Sequence, residues 1–212
     1  MGFEVRLHIP ACQAEPYHVI EPTATRIILA RSQRPIPIGL WIDSPPLTDG
    51  LMPASRRLAG TAKAVLEVVY REPRFRVSFV NEQFVQSEGT TVMITGRDKA
   101  DRDTVLATWD YGEEAVVALA RLNEGRKLLT LPPRVAAEYS QRSLSVALPP
   151  PAALISVVNM EHPDMALGGC GEGCPIAVGV GTKYTHLVFD HRIFDASDEQ
   201  IFVERYNEAL RS

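Results

Sequence analysis

A histidine and an acid four residues apart stand out near the C-terminus, in HLVFDHRIFDASDEQIF (residues 186–202). Histidine titrates close to neutral pH, so His191 can take a proton from a hydroxyl or a thiol and give it back. Asp190, Arg192 and Asp195 crowd it with charges that must be paired if they leave water. The ordinary alternative is a structural histidine satisfied by one of those carboxylates. A second cluster, HPDMALGGCGEGC, brings His162, Asp164, Cys170 and Cys174 within thirteen residues. Its C-x3-C spacing with one histidine is not a zinc pattern, so no metal is expected and a glycine-rich surface loop is the better reading. GGCGEG lacks the lysine and serine of a phosphate loop. Trp41 and Trp109 read as core or interface aromatics, GRDKADRD as a solvated charged loop, and His8, His18 and His186 receive no role.

The elements that must position His191 follow from periodicity. Residues 184–191 read as a strand, with Leu187, Phe189 and His191 on one face and His186, Val188 and Asp190 on the other. Ser197-Asp-Glu-Gln reads as a capping box, Ser197 capping and Gln200 reaching back, ahead of a helix over residues 197–210. That helix carries Phe202, Tyr206, Ala209 and Leu210 as its apolar stripe. Upstream, CPIAVGVGTKYTHLVFD (residues 174–190) suggests two antiparallel strands turning at Gly181 to Lys183. SLSVALPPPAALISVVNM offers one or two strands interrupted by Pro149 to Pro151, and TTVMIT is another strand. RFRVSFVNEQFVQ alternates Phe75, Val77 and Phe79 and suggests a hairpin through Asn81 and Glu82. Leu58, Ala62, Val65, Leu66 and Val69 recur at helical spacing until Pro73 stops them.

A helix is expected over residues 113–123, ended by Gly125. A short one is expected in LPPRVAAEYSQR, and another over residues 23–32. RPIPIGLWID reads as a strand, and residues 1–24 as an irregular N-terminal segment. The order of elements gives an α+β fold with a mixed β-sheet flanked by helices, one domain over residues 1–212.

Composition removes several classes of function. At 212 residues, 45% hydrophobic and 23% charged, the chain has material for a core. A net charge of −4 offers no basic footprint, so neither nucleic acid nor an anionic membrane is an expected partner. No apolar run approaches the roughly 20 residues that cross a bilayer. Cys12, Cys170 and Cys174 are too few for a disulfide framework. MGFEVRLHIP lacks a signal pattern, and a cytoplasmic location is expected.

FDHRIFDA resembles the FDHRVxDGA signature of the acyltransferase component of 2-oxo acid dehydrogenase complexes, whose catalytic domain shares its fold with chloramphenicol acetyltransferase. RPIPIGLWID with LMPASRRLAG is similar to that family's strand-then-helix segment. LEVVYREPRFRVSFVNEQF resembles its helix and hairpin, and ALISVVNM sits where it has an FTISNLG strand. The resemblance runs from about residue 25 to 210 at low identity, and only the last block is specific.

The resemblance implies a chloramphenicol acetyltransferase-like fold and a homotrimer, or a multiple of it, with the site between subunits. It implies acyl-CoA, acetyl-CoA in the first instance, as co-substrate and a small-molecule acceptor bearing a hydroxyl or thiol. His191 is then the general base and Asp195 a structural carboxylate, expected to bridge to Arg192. Ser156 in ALIS would give the hydroxyl for the oxyanion, from the neighbouring subunit, with Ser143, Ser145 and Thr182 as alternatives.

Three departures bear on function. Ala196 replaces the family's glycine after the aspartate. The stretch from Ser156 to His191 is shorter than in the dehydrogenase components. No lipoyl domain precedes the catalytic segment, which suggests a free-standing enzyme, compatible with one acylating a specialised metabolite such as a tetronate polyketide intermediate. The competing expectation is a trimeric core or binding protein that kept the fold and lost the chemistry.

Overall fold

The apolar positions spaced along residues 58–69 close into helix α2 (Ala54–Arg71), which buries Leu58, Ala62, Val65, Leu66 and Val69. The computed structural model describes residues 17–32, 34–43, 54–97, 103–127, 153–157, 175–181 and 183–212. Before α2 come β1 (Tyr17–Val19), α1 (Ala24–Leu29) and β2 (Pro37–Asp43). After it, Pro73 opens a 3-10 turn, Pro73–Arg76, that leads into β3 (Val77–Val80) and β4 (Gln83–Ser87). Next are β5 (Thr91–Arg97), β6 (Asp103–Asp110), α3 (Ala115–Arg126) and β7 (Ala153–Val157). The chain then forms β8 (Ile176–Val180), β9 (Tyr184–Asp190) and a last helix, α4 (Ala196–Arg211).

Six strands form one mixed sheet in the order β2-β9-β8-β7-β5-β6. β7 runs parallel to both neighbours, and the other pairs are antiparallel. β1, β4 and β3 make a separate antiparallel sheet. The mixed sheet flanked by helices is as the order of elements implies. α2 packs on α4 and touches β5, β7 and β8. Between them lies an aromatic core: Phe75 meets Phe202 edge-on at 5.1 Å, and Phe189 meets Phe202 at 5.2 Å and Phe194 at 5.9 Å. Such edge-to-face contacts add to the burial of each ring.

The hairpin falls at the expected place. Asn81 and Glu82 take φ of 48° and 63°, the doubly left-handed turn whose twist suits a two-residue loop. Several expectations change. Residues 1–24 are not wholly irregular, since Tyr17–Val19 pairs with β4, and α1 is shorter than residues 23–32. The charged stretch before α3 contains β6, a strand that periodicity did not suggest. Gly125 does not end α3. It lies within it, where a Cβ would strike the Leu106 carbonyl of β6, so the glycine serves close packing of helix on strand. The helix expected in LPPRVAAEYSQR lies outside the described residues. Among the described residues no helix is long and apolar enough to cross a membrane.

Candidate active site

β9 delivers His191 to its place, although the strand itself ends one residue earlier. Pro37 of β2 pairs with Asp190, and the next amide, that of His191, donates to the Ile36 carbonyl at 2.8 Å. The chain then turns sharply: the amides of Ile193 and Phe194 both donate to the Asp190 carbonyl, at 2.8 and 3.0 Å. His191 is therefore a turn residue, not the last residue of a strand. Ile193 and Phe194 anchor the turn in the core, while the His191 ring stays half-buried.

The imidazole is oriented by the turn itself. Nδ1 lies 2.9 Å from the Phe194 carbonyl oxygen. A carbonyl can only accept, so this bond places the proton on Nδ1 and leaves the lone pair on Nε2. Among the described residues Nε2 has no hydrogen-bond partner.

The expected bridge between Asp195 and Arg192 does not form. Arg192 folds back on Asp190 instead: Nε lies 3.0 Å from both carboxylate oxygens and Nη2 lies 2.6 Å from Oδ2. Both side chains are 3% exposed. Asp190 Oδ1 also accepts from the amides of Arg192, at 3.0 Å, and Ile36, at 3.3 Å. Arg192 Nη1 donates to the Ser32 carbonyl at 3.3 Å, and the guanidinium sits 4.9 Å from the Phe79 ring centre. The planar fork of arginine suits this two-point contact, and its weak hydration lowers the cost of burial.

Asp195 instead caps α4. Its backbone is extended (φ −110°, ψ 179°), and Oδ1 accepts from the amides of Ser197 at 2.9 Å and Asp198 at 3.1 Å. Asp198 Oδ2 completes the box by accepting from the Asp195 amide at 3.2 Å. The expected box of Ser197 and Gln200 is thus displaced by two residues. Ser197 donates its hydroxyl to Asp195 at 2.6 Å, and Gln200 turns to Glu204. The Ser197 hydroxyl and then the Asp198 amide hold the Asp195 carboxyl below the usual aspartate range. No hydrogen bond joins Asp195 to His191 among the described residues. Ala196 is the first residue of α4 and is not among the positive-φ residues, so alanine in place of glycine causes no backbone strain here.

Ser156 lies elsewhere. On β7 it is opposite Thr95 and Gly179, and that row continues through His186 to Trp41. His186 is five residues back along β9 from His191, roughly 16 Å at the rise of a strand. One chain therefore does not bring Ser156 and His191 together. Ser143, Ser145 and Thr182 lie outside the described residues, as do His162, Asp164, Cys170 and Cys174.

At the far end of that row Trp41 stacks on His186, ring centres 4.2 Å apart and 14° from parallel. Partial burial lowers the His186 pKa. A Cβ on Gly39 would meet His186 Nε2 at 2.9 Å, so that glycine leaves room for the stacked ring. Trp109 is a core residue, its indole N–H donating to the Glu113 carbonyl at 3.3 Å.

Sequence reasoning missed one pairing at the turn and one group on α4. One is the Asp190–Arg192 pair, whose signal was an acid and an arginine flanking a residue on a turn. The other is Glu199, read as part of a cap. Its Oε1 is sealed from solvent without a hydrogen-bond partner. Burial raises the Glu199 pKa, the charge of His191 opposes that, and Asp195 adds to it. No group of three or more His, Cys, Asp or Glu among the described residues could hold a metal ion.

No protein-family model and no curated protein matches the chain. Solved structures do. A chloramphenicol acetyltransferase aligns with 92% of this chain and 100% of its own, with a TM-score of 0.54 and 13% identity. The cubic core of the pyruvate dehydrogenase multienzyme complex aligns over 88% of this chain and 86% of its own (TM-score 0.59, 12% identity). The truncated catalytic core of the 2-oxoacid dehydrogenase multienzyme complex from Thermoplasma acidophilum covers 92% and 98% (TM-score 0.58, 12% identity). At such identities the likeness speaks for architecture, and there it agrees with the resemblance carried by FDHRIFDA. The chain has the fold shared by chloramphenicol acetyltransferase and the catalytic cores of 2-oxoacid dehydrogenase acyltransferases.

Proposed function

We propose that this protein is a CoA-dependent acyltransferase that moves an acyl group, acetyl in the first instance, from acyl-CoA to a hydroxyl or thiol of a small molecule. The observation that carries the reading is the bond from His191 Nδ1 to the Phe194 carbonyl, which leaves Nε2 as a rigidly aimed proton acceptor. Nε2 takes the proton of the acceptor O–H or S–H as the acceptor atom attacks the thioester carbonyl. The tetrahedral intermediate collapses, the C–S bond breaks, and Nε2 returns the proton to the CoA sulfur. The oxyanion needs a donor worth about 3 kcal/mol, and Ser156 is the candidate.

Because Ser156 stands far from His191 within one chain, it would serve the histidine of a neighbouring copy. This supports a homotrimer or a multiple of it, with sites between subunits. Asp195 takes a structural role, fixing where α4 begins and with it the turn. The unstrained Ala196 favours an intact site over a trimeric core or binding protein that has lost its chemistry. A tetronate polyketide intermediate is one acceptor of the right kind.

The test is thiol release from acetyl-CoA across a panel of hydroxylated and thiol acceptors. His191→Ala should lower the rate by about 100-fold or more while leaving the melting temperature unchanged. Mixed assemblies of His191→Ala and Ser156→Ala chains should regain activity at about a quarter of the interfaces, which only a shared site permits. A His191→Ala protein that keeps most of its rate overturns the reading.

A further inference from the structure

Trp41 and His186 have no part in the scheme above. They are cross-strand partners on β2 and β9, and their rings stack 4.2 Å apart, 14° from parallel. Leu187 and Phe189 turn into the core, so the stack stands on the opposite face of the sheet. A tryptophan that serves packing is covered, as Trp109 is at 2% exposure, whereas Trp41 is 44% exposed and lies on an edge strand. The stack is also given room. A Cβ on Gly39 would come within 2.9 Å of His186 Nε2, so glycine at that position lets the imidazole lie against the indole. Partial burial holds the His186 pKa below the usual histidine value, so at neutral pH the paired rings are mostly uncharged.

Position and charge say what such a surface takes. Register puts Ser156, Gly179, His186 and Trp41 in one row across β7, β8, β9 and β2. At the ~4.8 Å spacing of neighbouring strands, the stack spans roughly 10 to 14 Å from Ser156. β2 and β9 carry no lysine or arginine, and Asp43 lies two positions beyond Trp41 on the same face. A carboxylate there repels phosphate groups, which disfavours the phosphate-flanked adenine of CoA and leaves the acceptor. A flat ring adds to an aromatic stack in a way that a saturated ring of the same size cannot. We propose that Trp41 and His186 form an acceptor subsite, a platform for an uncharged planar ring held about 10 Å from the hydroxyl or thiol that is acylated. The proposal rests on the reading of Ser156 as the oxyanion donor. The platform binds and orients, and takes no part in proton transfer.

The probes are diethylene glycol monophenyl ether, a flat ring on a spacer of about that length, and its cyclohexyl counterpart. In protein labelled with 5-fluorotryptophan, the Trp41 signal is assigned by its loss in Trp41→Phe. It should shift with the phenyl ether and stay in place with the cyclohexyl one. In thiol release from acetyl-CoA, KM should be about fivefold lower for the phenyl ether. Trp41→Ala should erase that preference, with KM for acetyl-CoA and kcat each changed less than about twofold. Trp41→Phe should keep part of it, and Gly39→Ala, which pushes on His186, should lose part of it. Equal binding of the two ethers by the folded protein overturns the proposal. A rise in KM for acetyl-CoA alone would give the stack to the adenine, and smaller assemblies of Trp41→Ala by light scattering would give it to a contact between copies; either result overturns it. Absence of thiol release with both ethers would count against the acyltransferase reading, and the fluorine signal would still decide whether the stack binds a flat ring.

Discussion

Asp190 stands one residue before His191 and Asp195 four residues after it, and the two hold the same turn in different ways. Asp190 is 2% exposed and spends its carboxylate on Arg192 and on the amide of Ile36. Asp195 is exposed, and its carboxylate serves the amides and hydroxyl at the start of α4. The first tie is buried, where charges must be matched or they destabilise. The second is a cap at the surface, where water can replace what is lost. One aspartate sets the shape of the turn and the other sets where the helix after it begins. His191 sits where the two constraints meet.

Removing one member of the buried pair should have the largest effect on stability. Arg192→Met leaves Asp190 without its cation and is expected to cost about 3–5 kcal/mol in urea unfolding. Asp190→Asn combined with Arg192→Met should recover part of that loss, because no charge then remains to be desolvated. If the single variant costs less than about 1 kcal/mol, the contrast between the two aspartates fails.

The cap should matter less. Asp195→Ala is expected to cost about 0.5–2 kcal/mol and to lower turnover with it. Its pH dependence has a definite sign. The folded-state pKa of Asp195 is below the ordinary aspartate value of 3.8, so its stabilisation is present above that value and is lost as pH falls through the folded pKa. Asp195→Ala should therefore weaken the acid limb of the stability profile below about pH 4, modestly, since the group is solvated and screened by salt. The smallest change is expected at Ala196. Ala196→Gly should lower stability by about 0.4–1 kcal/mol through the freer unfolded chain and alter turnover less than about threefold. A large gain in turnover would mean that alanine had distorted the turn after all.

Much of the frame was legible in the sequence. α2, the hairpin at Asn81 and Glu82, and the antiparallel pair β8 and β9 all declared themselves by period and by turn position. β6 did not, because Leu106, Ala107, Thr108 and Trp109 are all buried and a strand covered on both faces has no alternation to read. Gly125 misled because a glycine that ends a helix and one that lets a helix approach a strand look alike in sequence. The cap was ambiguous for a related reason: Asp195 to Asp198 and Ser197 to Gln200 offer the same spacing two residues apart. Burial of Phe194 in the core favours the earlier start. The pairing of Arg192 was out of reach as well, since a turn brings it to Asp190 where the resemblance implied a bridge to Asp195.

The hold of Ile36 on the His191 turn has a further consequence, for the order in which the protein assembles and comes apart. The Ile36 amide and the Asp190 carboxylate that it meets are 154 positions apart, so β2 is synthesised long before the strand it pairs with. Closing a loop of that length costs on the order of 4 kcal/mol in chain entropy, and such distant pairings form late in folding. β2 is also the edge of the six-stranded sheet, and none of its residues is fully buried. Edge segments of this kind open before the rest of a molecule does. On warming, the setting of His191 is expected to be lost when that strand opens, so thiol release from acetyl-CoA should disappear at a lower temperature than the packing of Phe75, Phe189 and Phe202.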